Sequence, residues 1–460
     1  MSQESKRDKN TTSQNYFYHD LQLRLIKLLN LVLLTAVFGV TWYATYAKEL
    51  FMPFYHVGNL VIVGLFAVIC FFYGRTYDAF VVSLSSVLDK FYSQVLTCLF
   101  TDAVMYVVTG LLVRHLPRIV PLLLCLVVQT IIAYLWSHLS FRWYFRTFPA
   151  KKTLVIYDGA DDVSPAITAA GLANKFALQP ALALHEISDN LSQIKDYELV
   201  FLSNVYGQQR DQIIKYCVSQ NIRVYLLPGV GDIMLRGAEN LHLLHLPILH
   251  LGKYSPKIEY LISKRAFDIF AAGLGLILTA PIFLVVALAI KLTDHGPVFY
   301  RQVRLTKDGR EFAVLKFRSM RVDAEKDGVA RLSTGDADQR ITPVGKVLRR
   351  FRLDELPQLL NILTGEMSVV GPRPERPEIA REYEKALPEF ALRLQAKAGL
   401  TGYAQVYGKY NTTPANKLKM DLIYLANPSI FEDLKIIFAT VKILFKKDST
   451  EGVSEPPKKE

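Results

Sequence analysis

Residues 264–291 read KRAFDIFAAGLGLILTAPIFLVVALAIK, an apolar run with basic residues at both ends and one proline, Pro281, inside it. The run is long enough to cross a hydrocarbon core, which takes roughly 20 residues. Pro281 removes a helical hydrogen bond and leaves two arms, 266–280 and 282–290, each too short to cross alone. Lys264, Arg265 and Lys291 flank both ends, and positive-inside reasoning puts both on one face. A helix at 266–290 that enters the bilayer and returns satisfies these charges. The alternative is a Pro-kinked true span, which would carry everything after Lys291 to the far side.

Outward from this run, the 460 residues suffice for two or three domains. The apolar fraction of 51% is unevenly spread, with long hydrophobic segments at 21–43, 56–73, 91–113 and 119–143. Each approaches spanning length, and the second is the shortest. A polar segment, 1–20, precedes them. Lys6, Arg7, Lys9, Arg24 and Lys27 stand at one end of this 21–145 region, and Arg142, Arg146, Lys151 and Lys152 at the other, so both ends are expected in the cytoplasm. Arg114 and Arg118 in the third connector argue the other way. No cleavable signal peptide is expected. The net charge of +12 suits anionic lipids or phosphate ligands. No basic helix stands clear of the apolar segments, so no nucleic-acid partner is expected. Cys70, Cys98, Cys125 and Cys217 form no C-x-x-C pair and read as core thiols.

Residues 151–252 change character. Apolar runs at 153–157, 199–202 and 224–227 read as buried parallel strands, alternating with helical stretches at 166–177 and 208–220. This is a Rossmann-like pattern. Its first turn has one glycine, Gly159, where a dinucleotide site needs three, and Asp161 and Asp162 would repel a pyrophosphate. A structural or regulatory module that binds no dinucleotide is expected.

After Lys291 the chain looks soluble. Residues 430–447 place Ile430, Leu434, Ile437, Val441 and Leu444 at helical spacing, for a helix either packed in a core or lying on the bilayer. The polar tail 448–460 reads as disordered.

The chemistry concentrates in a few short stretches. Arg349-Arg350-Phe351-Arg352-Leu353-Asp354-Glu355-Leu356-Pro357-Gln358 sets two adjacent carboxylates after three arginines and before a proline suited to a first helical turn. Gly371-Pro372-Arg373-Pro374 is a stiff turn presenting a guanidinium. Lys316-Phe317-Arg318-Ser319-Met320 follows a strand-like run, and Gly399-Leu400-Thr401-Gly402-Tyr403 and Asp421-Leu422-Ile423-Tyr424 lie downstream. Each alone reads as a solvated charged surface. Together they offer carboxylates for a divalent metal and cations for phosphates.

With Lys264-Arg265-x-Phe267-Asp268, Gly296-Pro297-Val298-Phe299-Tyr300-Arg301-Gln302 and Thr401-Gly402-Tyr403-Ala404-Gln405-Val406, these stretches make residues 260–447 resemble the bacterial sugar transferase family. These are the monotopic phosphoglycosyl transferases that begin capsule, exopolysaccharide and O-antigen synthesis. Four transmembrane helices and a Rossmann-like module ahead of that unit resemble the family's long form. The expected fold is therefore membrane α plus α/β, ending in a re-entrant-helix α/β catalytic domain with interfacial helices.

The resemblance implies transfer of a hexose-1-phosphate, glucose or galactose, from a UDP-sugar to undecaprenyl phosphate at the bacterial inner membrane, with the catalytic domain facing the cytoplasm. It implies Asp354 as nucleophile and Mg²⁺ held by Glu355 with Asp354. Arg349, Arg373, Lys316 and Arg318 would lie near the phosphates, Asp421 would complete the site, and Pro281 would break the helix. A homodimer is compatible with it. Two positions depart from the family pattern: Ala280 stands where serine often precedes the proline, and Gly408-Lys409-Tyr410 stands where arginine is common. Lysine there binds a phosphate only as a point charge. The physical chemistry agrees, because a carboxylate is ionised at neutral pH and needs no general base to attack phosphorus. A catalytically dead scaffold would lack one of the two acids. A sugar-nucleotide dehydratase would need an intact glycine-rich loop and a Tyr-x-x-x-Lys pair.

Overall fold

A computed structural model describes residues 3–444, except 55, 84–85, 160–161, 189, 244, 255, 323, 325–337, 339 and 409–411. Asp161, Lys409 and the tail 448–460 therefore lie outside the described residues. The chain divides into two compact units, Met1–Leu227 and Pro228–Glu460.

The first unit opens with helices α1 (Gln3–Ala44), α2 (His56–Thr76), α3 (Val87–Val113) and α4 (Val120–Thr147). Their packed interior holds Leu34, Phe38, Trp42, Phe66, Cys98 and Met105, with Phe38 stacked on Phe66 at 4.4 Å. Their outer faces are equally apolar, with Val32, Val61, Phe72, Leu111 and Leu124 exposed. A helix that is hydrophobic all round is at home in lipid or in a large core. Five helices among the described residues are long and apolar enough to cross a membrane, these four and one in the second unit.

A parallel sheet follows, in the order β2-β1-β4-β5, with β3 also on β1. Its strands are β1 (Lys151–Tyr157), β2 (Phe176–Leu178), β3 (Leu182–Ala183), β4 (Leu199–Ser203) and β5 (Arg223–Leu226). Thr153, Leu154, Val155 and Ile156 are all buried, the continuous burial typical of a strand covered on both faces. Helices α5 (Ser164–Ala169), α6 (Leu184–Ser188) and α7 (Gly207–Ser219) accompany it. The expected helix at 166–177 is cut short. Gly171 adopts φ +69, the left-handed conformation that ends helices, and Phe176 then turns inward on Phe201 as strand β2.

The stretch after β5, read from sequence as part of this module to residue 252, belongs to the second unit. Ile233 of α8 (Val230–Arg236) is buried with Val370, Phe390, Leu418 and Leu422. A hairpin of β6 (Glu239–Leu243) and β7 (Leu246–His250) comes next, then helix α9 (Ile258–Asp294), which contains Pro281. The remaining elements are the hairpin β8 (Phe299–Leu305) and β9 (Glu311–Phe317), α10 (Pro343–Arg350), α11 (Gln358–Thr364), β10 (Met367–Val370), α12 (Pro377–Ala386), β11 (Ala398–Thr401), α13 (Tyr403–Tyr407), α14 (Pro414–Ala426) and α15 (Ile430–Leu444).

Helix α9 is bonded to this unit by the residues of its opening signature. Lys264 Nζ donates to Asp433 Oδ2 at 2.9 Å, in a buried cluster where Tyr260 and Tyr424 hydroxyls donate to the same carboxylate. Arg265 donates to the carbonyls of Ile362 and Leu363, the open end of α11. Asp268, 4% exposed, accepts from Ser368 Oγ at 3.1 Å and from the Val369 amide at 2.9 Å. Farther along, Val286 and Ile290 bury against Phe317 and Leu348. The buried line of α15 runs through Asp433, Ile436 and Ala439, one step round from the stripe expected at 430, 434, 437 and 441. Asp433 meets Lys264 on that line, and α15 packs through Ile436 as a core element.

Replacing Asp268 by Ala would leave the Ser368 hydroxyl and the Val369 amide buried without their acceptor, costing about 1–3 kcal/mol. Thermal unfolding of the full chain in detergent should show a lowered midpoint for Asp268→Ala and a smaller loss for Asp268→Asn, which keeps one acceptor. Equal midpoints for parent and Asp268→Ala would contradict the anchoring role.

Candidate active site

Asp354 and Glu355 sit in a single 3-10 turn, Leu353–Glu355, between α10 and α11. The turn is set by Arg352 at φ +54, an uncommon conformation for a residue with a side chain. Pro357 caps α11 and the helix begins at Gln358, so the two carboxylates stand one residue farther from the helix than a Pro357 start implies.

Three signatures aim cations at this turn. Lys316, near the end of β9, places Nζ 3.3 Å from Glu355 Oε1. Its register is fixed by Asn361 of α11, which accepts from the Leu315 amide and donates to the Ala313 carbonyl. Arg373 places a guanidinium nitrogen 3.4 Å from the same oxygen. It follows β10, whose end closes on β11 so tightly that a Cβ on Gly371 would overlap the Lys397 carbonyl and one on Gly399 would overlap the Gly371 amide. These two glycines are what allow the Gly-Pro-Arg-Pro turn to approach. Arg349 of α10 donates to Ser319 Oγ at 2.9 Å and lies near enough to Asp354 to favour its charged form. Arg318 is buried at 7% exposure, its guanidinium filling the space a Cβ on Gly296 would need.

Asp421 lies elsewhere. Its side chain is 1% exposed and pairs with Arg393 at 2.6 Å. Arg393 in turn donates to the Arg373 carbonyl at 3.0 Å and lies 3.6 Å from Glu375. Asp421 thus stands one layer behind Arg373, away from the two carboxylates, and supports the turn that carries Arg373. Removing one partner of such a buried pair costs roughly 3–5 kcal/mol, a structural burden before any chemical one. Glu375, Arg393, Asn361 and Arg304 did not stand out in the sequence. Arg304 donates to the Gln302 side chain and the Pro374 carbonyl. The Pro374-Glu375-Arg376 run beside the arginine turn was the one available signal. Arg376 itself lies 3.7 Å from Glu378.

The electrostatics split the acid pair. Burial, with the adjacent Glu355 charge, pushes the Asp354 carboxyl up to about 6. Burial also opposes ionisation of Glu355, but Lys316, Arg373 and Arg352 outweigh it and hold that carboxyl at about 2. Burial and the neighbouring Arg373 bring Arg304 down to about 10, the mark of crowded positive charge. Five cations, Arg304, Lys316, Arg349, Arg352 and Arg373, gather around two acids and Glu375. Such an excess suits an anionic ligand with several oxygens. Among the described residues no group of three or more His, Cys, Asp or Glu could hold a metal. Two adjacent carboxylates, one buried with its proton affinity raised, still fit Mg²⁺, which takes one or two carboxylates together with substrate phosphates.

Residues 259–447 match the family described as bacterial sugar transferase. The chain is 46% identical over 190 residues to the exopolysaccharide production protein PSS of Rhizobium leguminosarum bv. phaseoli, covering 39% of this chain and 94% of that one. It is 39% identical over 242 residues to a UDP-glucose:undecaprenyl-phosphate glucose-1-phosphate transferase of Klebsiella pneumoniae, covering 50% and 52%. It is 35% identical over 237 residues to a UDP-N-acetylgalactosamine-undecaprenyl-phosphate N-acetylgalactosaminephosphotransferase of Aeromonas hydrophila, covering 51% and 55%. The match spans about half the length of these last two relatives. Coverage of nearly the whole Rhizobium protein at this identity, on a unit that gathers the signature residues around one acid pair, makes this chain a member of the bacterial sugar transferase family.

Proposed function

We propose that the protein transfers a sugar-1-phosphate from a UDP-sugar to undecaprenyl phosphate, an early membrane step of exopolysaccharide or capsule synthesis. The observation that carries this is the Asp354–Glu355 pair, Asp354 buried and Glu355 half-buried, among the cations Lys316, Arg373 and Arg349. An Asp354 oxygen attacks the phosphorus that bears the sugar, the bond from that phosphorus to the UMP oxygen breaks, and UMP leaves with the electron pair. An oxygen of the lipid phosphate then attacks the same phosphorus and releases the Asp354 carboxylate, giving a polyprenyl diphosphate sugar. Lys316, Arg373 and Arg349 draw the diphosphate toward an acid that would otherwise repel it. Mg²⁺, held by Glu355 and Asp354, would supply further neutralisation of the phosphate charge. The names of the relatives differ in the sugar, glucose in one and N-acetylgalactosamine in another.

The lipid substrate requires the site to lie at the bilayer, and a re-entrant α9 meets that need. Its two arms both pack on one unit, Asp268 and Ala272 on the first and Val286 and Ile290 on the second. From Arg265 to Ile290 a straight helix would run about 38 Å, more than the roughly 30 Å hydrocarbon core. A straight span could not keep both ends on a domain confined to one side. The opposite face, with Phe270, Ile277, Leu284, Val285 and Leu288, is exposed and suits lipid. Val347, Phe351 and Leu360 add apolar exposure on the elements flanking the acid pair, as interfacial helices would. The reading places the unit on the cytoplasmic side of the inner membrane, where nucleotide sugars are made. The N-terminal helices would serve as anchors and the Rossmann-like module as a regulatory or structural part.

UMP release from UDP-glucose in the presence of undecaprenyl phosphate tests the assignment. Asp354→Asn should lose roughly a thousandfold or more, and Glu355→Gln should lose nearly as much, several kcal/mol of barrier in each case. Turnover of either variant within a few-fold of the parent would place the chemistry elsewhere.

The raised proton affinity of Asp354 sets a pH limit. The nucleophile must be ionised, so activity is present above about 6 and is lost as pH falls through it. The profile of kcat/KM for the UDP-sugar should bend near that value and fall about tenfold per unit below it. A profile flat down to pH 5 would contradict the environment assigned to Asp354.

A further inference from the structure

Beside the first apolar turn of α9 lies an open cleft of 710 Å³ whose lining includes Arg265, Arg310, Lys397, Gly365, Glu311 and Glu366. Two of its cations are held close together. Gly365 has φ +88, and a Cβ there would stand 3.4 Å from an Arg265 nitrogen and 3.7 Å from Lys397 Nζ. The two charges are therefore no more than about 7 Å apart, a range at which like charges repel appreciably near a protein surface. Arg265 uses two N–H bonds on α11 carbonyls and keeps three. Neither Lys397 nor Arg310 makes an ion pair among the described residues. Of the two acids, Glu366 already accepts from Asn361 at 2.8 Å and from Thr364 at 3.3 Å. Burial lowers the proton affinity of Lys397, and Arg265, Arg310 and Lys307 lower it further against an opposing effect of Asp268.

This cleft is not the acid-pair site. Strand β9 has Glu311 at the cleft and Lys316 at the carboxylates, a separation of about 17 Å at the usual rise per residue. Arg265 begins the apolar run of α9, and the nearby Ile262, Ile269 and Phe270 are exposed. If α9 enters the bilayer as proposed above, the cleft lies at headgroup depth, with an apolar surface beside it for acyl chains. Cationic pockets at the cytoplasmic end of membrane helices suit anionic headgroups.

We propose that Arg265, Arg310 and Lys397 form a second anion site, distinct from the acid pair, that takes a phosphate group, and that its occupant is the headgroup of an anionic membrane phospholipid. The membrane origin of the occupant rests on the re-entrant reading of α9; the phosphate chemistry does not.

The test follows the rate at which an amine-reactive reagent labels Lys397 in the full chain, measured by mass spectrometry against exposed Lys385. The chain is placed in nanodiscs of phosphatidylcholine, of phosphatidylcholine with phosphatidylglycerol, and of phosphatidylcholine with millimolar inorganic phosphate. Phosphatidylglycerol should slow Lys397 labelling several-fold relative to phosphatidylcholine, and Arg310→Ala should abolish that difference between the two lipids while leaving the release of UMP unchanged. Protection by inorganic phosphate alone would keep the anion site and overturn its lipid occupant. Equal labelling in all three, or protection that survives Arg310→Ala, would overturn the site. Loss of UMP release in Arg310→Ala would overturn its separation from catalysis.

Discussion

Asp268 is a carboxylate in a helix that is otherwise built for lipid, and the two hydrogen bonds it accepts from Ser368 and Val369 decide where that helix goes. Left in hydrocarbon, an ionised group costs several kcal/mol. Docked on β10 it is satisfied, and the strand it holds leads directly into the turn that carries Arg373. Lys264 on Asp433 and Arg265 on the end of α11 repeat the arrangement. The long apolar helix and the acid-pair site are thereby parts of one unit.

The same logic runs through the site. Asn361 ties α11 to β9 and so sets Lys316 against Glu355. Glycines 371 and 399 let β10 and β11 close, and Arg393 with Asp421 braces the turn from behind. Held so, the two acids take different characters. Glu355 is kept ionised by three cations, while Asp354, deeper and beside that charge, is reluctant to ionise. A carboxylate stripped of water but still ionised at neutral pH is a better nucleophile than one fully solvated.

Local pattern made much of this legible. Adjacent acids behind three arginines, a lysine at a strand end and an arginine in a stiff turn are visible because charge beside structure-setting residues is unusual. The parallel strands at 153–157 and 199–202 were legible from continuous apolar runs. What was not legible depends on partners far away in the chain. Asp433 lies off the apolar spacing of residues 430–444, yet it is buried against Lys264 on the packed line of α15. Asn361 stands between apolar neighbours in sequence, and its partners, the Leu315 amide and the Ala313 carbonyl, lie far away in the chain on β9. The family resemblance places Asp421 at the site, and its pairing with Arg393, distant in sequence, is visible only in the fold. Strand β2 was read as helix because one glycine, Gly171, ends the helix early.

The central claim is that α9 enters and leaves the bilayer on one side, carrying the acid pair at the cytoplasmic surface. The most direct measurement places single cysteines at Ser263 and Thr293, in a chain lacking the four native cysteines, all of them buried. Intact cells are then treated with a membrane-impermeant thiol reagent. Both positions should stay unlabelled until the membrane is opened, and both should react afterwards. Labelling at Thr293 but not Ser263 in intact cells would mean that α9 spans the bilayer and that the acid pair faces away from the supply of nucleotide sugar.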